Sequence, residues 1–190
     1  MPRAILSAAF LALLAGCAAP GAERVEAPAR PQREAIQSFR IEGRIAVRRG
    51  GENFSARIDW QHDAAADEIV VSGPLGQGLA RLTANAAGAV LETSDQKRHE
   101  AADLDALSER AFGTPLPVAG MKRWVLGLAS AGGAATKDAA GRLAGLSEQG
   151  WIIEYLRYES GAAEALPVLL RAQREDVELR LMIDLWAIPK

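Results

Sequence analysis

Few side chains in this sequence can do covalent or acid–base chemistry: one cysteine, Cys17, and two histidines, His62 and His99, in 190 residues. Each histidine stands beside an acid, as His62-Asp63 and His99-Glu100. An imidazole oriented by a carboxylate is half of a hydrolytic arrangement, and the other half is an activated hydroxyl or thiol. No Gly-x-Ser-x-Gly turn presents such a hydroxyl, no ligand spacing fits a metal, and no Gly-x-x-x-x-Gly-Lys loop cradles a phosphate. The pattern assigns no catalytic residue, no metal and no cofactor. It reads both histidines as solvated turn residues and the chain as a binding protein, not an enzyme. With 22 Lys and Arg against 24 Asp and Glu and a net charge of -2, no basic stripe offers nucleic acid a footprint.

The cysteine belongs to a different chemistry. Arg3 supplies a positive start, and residues 4–14 are uncharged and largely apolar. That run is short of the about 20 residues that span a bilayer, and it has the size of a secretory signal core. Small residues then lead into the cysteine as Leu14-Ala15-Gly16-Cys17. This stretch is similar to a bacterial lipobox. The resemblance implies removal of residues 1–16, lipid attachment at Cys17 and, with Ala18 next, sorting to the outer membrane. A lipidated thiol also removes the hazard of a lone cysteine in an oxidising compartment. Residues 17–37, interrupted by Pro20, Pro28 and Pro31, read as a tether with at most a short helix near its end.

The remainder, residues 38–190, reads as one domain of suitable size for its own core. Phe39, Ile41, Ile45 and Val47 share one parity, and Phe54, Ala56, Ile58 and Trp60 share another. Strict alternation of this kind makes half-buried strands. Between them Arg49-Gly50-Gly51-Glu52 predicts a two-residue hairpin turn. If Arg49 faces Glu52, then Ile41 faces Trp60, Ile45 faces Ala56 and Val47 faces Phe54, so both apolar sides coincide. A second hairpin would pair Val71 with Ala80 and Ile69 with Leu82, with Gly73 facing Gly78 around Pro74-Leu75-Gly76-Gln77. Pro74 and Gly76 suit the turn, and local sequence leaves Leu75 free either to fold onto the sheet edge or to project. Further strands are expected at 89–93, 143–147, 151–158, 168–173 and 177–187. Between the two groups lie two amphipathic helices. Asp103 caps the first, which carries Leu104, Leu107 and Ala111; Pro117 starts the second, which carries Met121, Trp124, Val125 and Leu128. Residues 131–141, rich in small side chains, read as a flexible loop.

Strands, two helices and more strands behind a lipobox resemble the LolB family of outer-membrane lipoprotein receptors. The resemblance is carried by FRIEGRIAVR at 39–48, ARIDWQ at 56–61, SGPLGQGLARL at 72–82, FGTPLPVAGMKRWVLGL at 112–128, GRLAGLSEQGWIIEY at 141–155 and LMIDLW at 181–186. It implies a mainly β (α+β) fold: an incompletely closed antiparallel β-barrel covered by a lid of short α-helices, as in LolA and LolB. It further implies an apolar cavity for acyl chains, with Ile41, Ile45, Phe54, Ile58, Trp60, Leu107, Met121, Trp124, Trp151, Ile153 and Leu181 as candidate lining. Alternation fits a filled core as well as a cavity, and only the resemblance favours the cavity. The partners it implies are a LolA-like periplasmic carrier, acylated lipoprotein cargo and outer-membrane lipids, met by a monomer. In such proteins the loop at Pro74, Leu75 and Gly76 protrudes and touches the membrane. The alternatives are a lipid-anchored scaffold or lipid sensor on the same half-barrel, or a lipid-anchored hydrolase.

Overall fold

The computed structural model describes the backbone of residues 29–112 and 118–189, and side chains over 29–110 and 120–189. The leader, Cys17, most of the tether, the side chain of Ala111 and the whole of Pro117 lie outside the described residues. The strands are β1 (Phe39–Arg49), β2 (Glu52–His62), β3 (Ala66–Ser72), β4 (Gly78–Asn85), β5 (Gly88–Thr93), β6 (Arg98–Ala101), β7 (Ala134–Lys137), β8 (Leu143–Glu148), β9 (Trp151–Tyr158), β10 (Pro167–Arg174) and β11 (Val177–Ala187). Helices α1 (Leu104–Phe112) and α2 (Val118–Val125) fall between β6 and β7. All strands form one antiparallel sheet in the order β6-β5-β4-β3-β2-β1-β11-β10-β9-β8-β7. Only the β1–β11 pairing joins strands distant in sequence. The outermost strands β6 and β7 do not pair with each other among the described residues, so the sheet stays open.

The first hairpin has the register that its alternation predicts: Arg49 faces Glu52, Ile41 faces Trp60, Ile45 faces Ala56 and Val47 faces Phe54. Gly50 and Gly51 make the turn with φ of 54° and 90°, which glycine adopts without a Cβ penalty. The second hairpin pairs Ile69 with Leu82 and Val71 with Ala80 as expected, but its register shifts after Val71, and Ser72 rather than Gly73 faces Gly78. The loop then closes on itself. Gly73 donates its N–H to the Gln77 carbonyl at 2.8 Å, and Gly76 donates to the Gly73 carbonyl at 2.9 Å. Gly73-Pro74-Leu75-Gly76 is thus a β-turn with Pro74 at its second position, where a fixed φ is favoured.

Gly43 marks another irregularity. The β1–β11 register slips between Glu42 and Gly43, and a Cβ at Gly43 would lie 2.3 Å from the Met182 carbonyl oxygen. Only glycine lets the two backbones approach this closely.

Helix α1 follows its signal, and α2 carries Met121, Trp124 and Val125 as expected but ends before Leu128. Asp103 caps α1 by accepting the Ala106 N–H at 2.8 Å. Helix α2 ends at Gly127 (φ 71°), where Gly127 donates to the Trp124 carbonyl and Leu128 to the Arg123 carbonyl, both at 2.9 Å. This paired closure of the last turn needs a left-handed residue. It redirects the chain across the inside of β8, where Ser130 donates its N–H to Glu148 Oε2 at 2.9 Å.

Two strands depart from expectation. Residues 134–137 form edge strand β7, not a loop; the four side chains are exposed, and backbone pairing with β8 alone defines the strand. Strand β6, Arg98–Ala101, likewise pairs with β5 without an apolar stripe. Near the amino terminus a single 3-10 turn spans Arg33–Ala35. Residues 29–37, at the end of the expected tether, lie against the barrel: Arg30 pairs with Glu159 at 2.5 Å, the buried Arg33 donates to the Ala165 carbonyl at 2.9 Å, and Ile36 is buried.

Candidate functional site

Alternation along the strands gives the sheet two chemically distinct faces. The outer face carries cross-strand ion pairs, Arg40 with Asp59, Arg44 with Asp184 and Arg98 with Glu92 among them. The inner face is apolar. Of the residues expected to line a cavity, Ile41, Ile58, Trp60, Met121, Trp124, Trp151, Ile153 and Leu181 meet in one buried cluster beneath α2. Leu107 belongs to a second cluster beneath α1, with Leu82, Leu91 and Leu104. Ile69 and Val71, partly buried, pack against both clusters and form the seam between them.

The cover is unequal along the strands. At the edge formed by the β1–β2 and β3–β4 turns, inward-facing Ile45, Val47, Val71 and Ala80 are only half-buried. Phe54 departs from the cavity expectation: it belongs to neither cluster and is 48% exposed at this rim. Leu75 stands on the same edge and is 94% exposed. The β-turn explains this, because Leu75 occupies the third turn position, beyond the last ladder partner, with no strand opposite it. The open choice at Leu75 resolves to projection.

The opposite edge is fastened by a cluster that sequence reasoning missed. Asp67, at the start of β3, is 5% exposed. Its Oδ1 accepts the Trp60 indole N–H at 3.0 Å and contacts His62 Nδ1 at 2.8 Å, and its Oδ2 meets Lys122 Nζ of α2 at 2.5 Å. Burial alone would push the Asp67 carboxyl up, but the bonds from His62, Lys122 and Trp60 outweigh it and hold the group below the usual carboxylate range. Lys122 thereby ties the α2 lid to the barrel at the edge far from Leu75. A signal was present: His62 and Asp67 occupy the apolar parity of their strands, where a polar group demands a partner. His62 ends β2 half-buried, not as a solvated turn residue, and its ring bonds Asp67, not the adjacent Asp63. Asp63 Oδ1 instead accepts the backbone N–H groups of Ala65 at 2.7 Å and Ala66 at 2.8 Å, closing the β2–β3 turn. His99 lies within β6, opposite Leu91, not in a turn.

Two depressions of about 630 and 430 Å³ are lined chiefly by outward-facing residues. Arg40, Glu42, Asp59 and Asp184 border the first; Arg180, Ser55 and Pro74 border the second. The mixed, charged wall of the first suits ions and water, whereas the second, which Ile45, Ala46, Ala56 and Met182 also border, is mainly apolar. Among the described residues no group of three His, Cys, Asp or Glu could hold a metal, and no helix is long and apolar enough to cross a membrane.

A family model described as "Outer membrane lipoprotein LolB" matches residues 37–186. The chain is 40% identical over 178 residues to the outer-membrane lipoprotein LolB of Azoarcus sp. (strain BH72), covering 93% of this chain and 91% of that protein. It is 35% identical over 195 residues to the LolB of Pseudomonas fluorescens (strain Pf0-1), covering 97% and 95%. A solved structure, a LolA superfamily protein from Nitrosomonas europaea, superposes with a TM-score of 0.51 at 7% identity, over 82% of this chain and 88% of that one, and shares the fold. An open antiparallel half-barrel under two short helices, matched by sequence over nearly its whole length, belongs to the LolB family of outer-membrane lipoproteins.

Proposed function

We propose that this chain is an outer-membrane lipoprotein receptor. It takes acylated lipoproteins from a LolA-like periplasmic carrier onto its apolar inner face and inserts them into the outer membrane. It works as a monomer on the periplasmic side, anchored through a lipid on Cys17, with residues 1–16 removed and residues 17–37 as the link to domain 38–190.

The physical problem is solvation. Each methylene of an acyl chain exposed to water costs about 0.8 kcal/mol, so several long chains cannot cross an aqueous space bare. An apolar face that opens toward the carrier and then toward the bilayer keeps them dry. Ile41, Ile58, Trp60, Leu181 and the lid residues Met121 and Trp124 supply that face once the lid moves, and the half-buried Ile45, Val47 and Val71 supply its mouth. No phosphate-cradling motif provides energy, so transfer runs downhill, from weaker to tighter hold on the chains.

The observation that carries this reading is the exposed Leu75 on the edge where the apolar face is least covered. Burying one leucine contributes about 1.5–3 kcal/mol, too little to anchor a protein but enough to bias its orientation at a bilayer. Leu75→Glu is expected to retain cargo uptake from the carrier and to lose delivery into vesicles, measured by flotation of a labelled lipoprotein. Normal delivery by that variant would remove the membrane role of the Pro74-Leu75-Gly76 turn. Depletion in cells separates the receptor from a scaffold or sensor: lipoproteins accumulate on their carrier in the first case and stay correctly placed in the second.

A further inference from the structure

Within the apolar interior, the Nε1 atoms of Trp124 and Trp151 are buried and have no acceptor, and Glu148 Oε1 is buried without a donor. The two indoles lie together, ring centroids 6.1 Å apart, and each residue is 1% exposed. Glu148 faces Trp151 across the β8–β9 turn, and its other oxygen is held by the Ser130 N–H on the segment that continues from α2. The antiparallel order places the β8–β9 turn on the same edge of the sheet as the β1–β2 and β3–β4 turns. The unpaired groups therefore sit toward the mouth end of the apolar face, not at its closed end.

An indole N–H only donates, and leaving such a donor buried without an acceptor is unfavourable. A purely hydrocarbon side chain would occupy an apolar interior without that cost. Hydrocarbon tails offer no acceptor, but the ester and amide carbonyls that join them to a lipoprotein do. Those carbonyls lie at the head of each chain, so chains inserted tail-first bring them to the mouth end. Glu148 Oε1 adds an acceptor for an amide N–H at the same place.

We infer that the indole N–H groups of Trp124 and Trp151, with Glu148 beside them, form a polar subsite that binds the acyl carbonyls of the cargo. This rests on the receptor reading and names how the site tells an acylated protein from plain hydrocarbon.

The test uses the purified full-length protein and two synthetic lipopeptides with the same chain lengths, one with ester-linked chains and one with ether-linked chains. The ester form is expected to bind about tenfold tighter, the value of one or two net hydrogen bonds. It should also shift the NMR signals of the two indole N–H groups, and the ether form should leave them in place. In the variant Trp124→Phe/Trp151→Phe the ester-to-ether affinity ratio should fall to near one. If that variant does not fold, the wild-type indole signals decide alone. Equal affinities with unmoved indole signals would overturn the subsite while leaving the receptor reading intact; failure of both lipopeptides to bind would overturn both. Bilayer phospholipids carry the same ester carbonyls. Phosphatidylglycerol at matched concentration should leave the signals unmoved, and a response to it alone would overturn the assignment to cargo.

Discussion

Asp67 is the residue that ties the α2 lid to the barrel by charge, through Lys122. Three donors converge on it, Trp60 and His62 from β2 and Lys122 from α2, and each would be left buried or half-buried without it. Asp67→Asn keeps the shape and removes the charge, and should cost about 2–3 kcal/mol at neutral pH, less than a fully buried pair because Lys122 is partly exposed. The sign with pH follows from the depressed carboxyl. Its contribution is complete above the unfolded aspartate value of about 3.9 and is lost as pH falls through the lower folded value. Urea unfolding of wild type and variant should therefore differ at pH 7 and converge only as pH falls below the depressed value of the folded carboxyl. A constant difference across that range would show that Asp67 acts through packing alone. Tyr158 behaves differently: burial pushes its hydroxyl up to about 12, so it stays neutral and donates to the Leu143 carbonyl at 2.6 Å at any physiological pH.

At the scale of elements, the β1–β11 pairing joins the two halves of the sheet, and Gly43 controls its register. Gly43→Ala places a methyl group against the Met182 carbonyl and should lower stability by about 1–3 kcal/mol, read as a lower melting temperature. An unchanged melting temperature would mean that the bulge relaxes freely. How much of these elements the sequence reveals depends on the physical origin of each. The β1–β2 hairpin is legible to the residue, because Ile41, Ile45, Val47, Phe54, Ile58 and Trp60 alternate and two glycines fix the turn. Helix α1 is legible from its Asp103 cap and apolar stripe, and α2 from the spacing of Met121, Trp124 and Val125. Strands β6 and β7 are not, since they exist through backbone bonds at sheet edges and carry side chains such as Arg98, Glu100 and Ala134 that face water. The register shift after Val71 is also silent, because it arises when Gly73 bonds within its own loop. The Asp67–Lys122 link escapes a local reading altogether, since it joins a strand to a helix far along the chain. Leu75 could be singled out as a loop tip, but whether it projected depended on the turn type.

At the scale of the molecule, the amino-terminal segment leaves the barrel near Glu159 and Ala165, on the edge opposite Leu75. The 11 residues of β1 span about 36 Å between those edges. From Cys17 to Ala29 the chain can reach about 40 Å when extended. With the proposed lipid on Cys17, the link would be just long enough for the Leu75 edge to meet the membrane that held it. Deleting residues 20–25 leaves about 20 Å of reach and should impair delivery while sparing uptake; replacing them with an equal length of Gly and Ser should restore it. Delivery unaffected by the deletion would mean that Leu75 acts on something other than the anchoring bilayer. Which face of the sheet meets hydrocarbon decides the function, because Ile152, Leu156 and Leu185 also expose apolar surface on the outside. The most direct measurement is photo-crosslinking of purified protein with a lipopeptide carrying a diazirine near the end of its acyl chain, mapped by mass spectrometry. Labels on Ile41, Trp60, Trp124 and Leu181 are the predicted result, and labels confined to Ile152, Leu156 and Leu185 would contradict it.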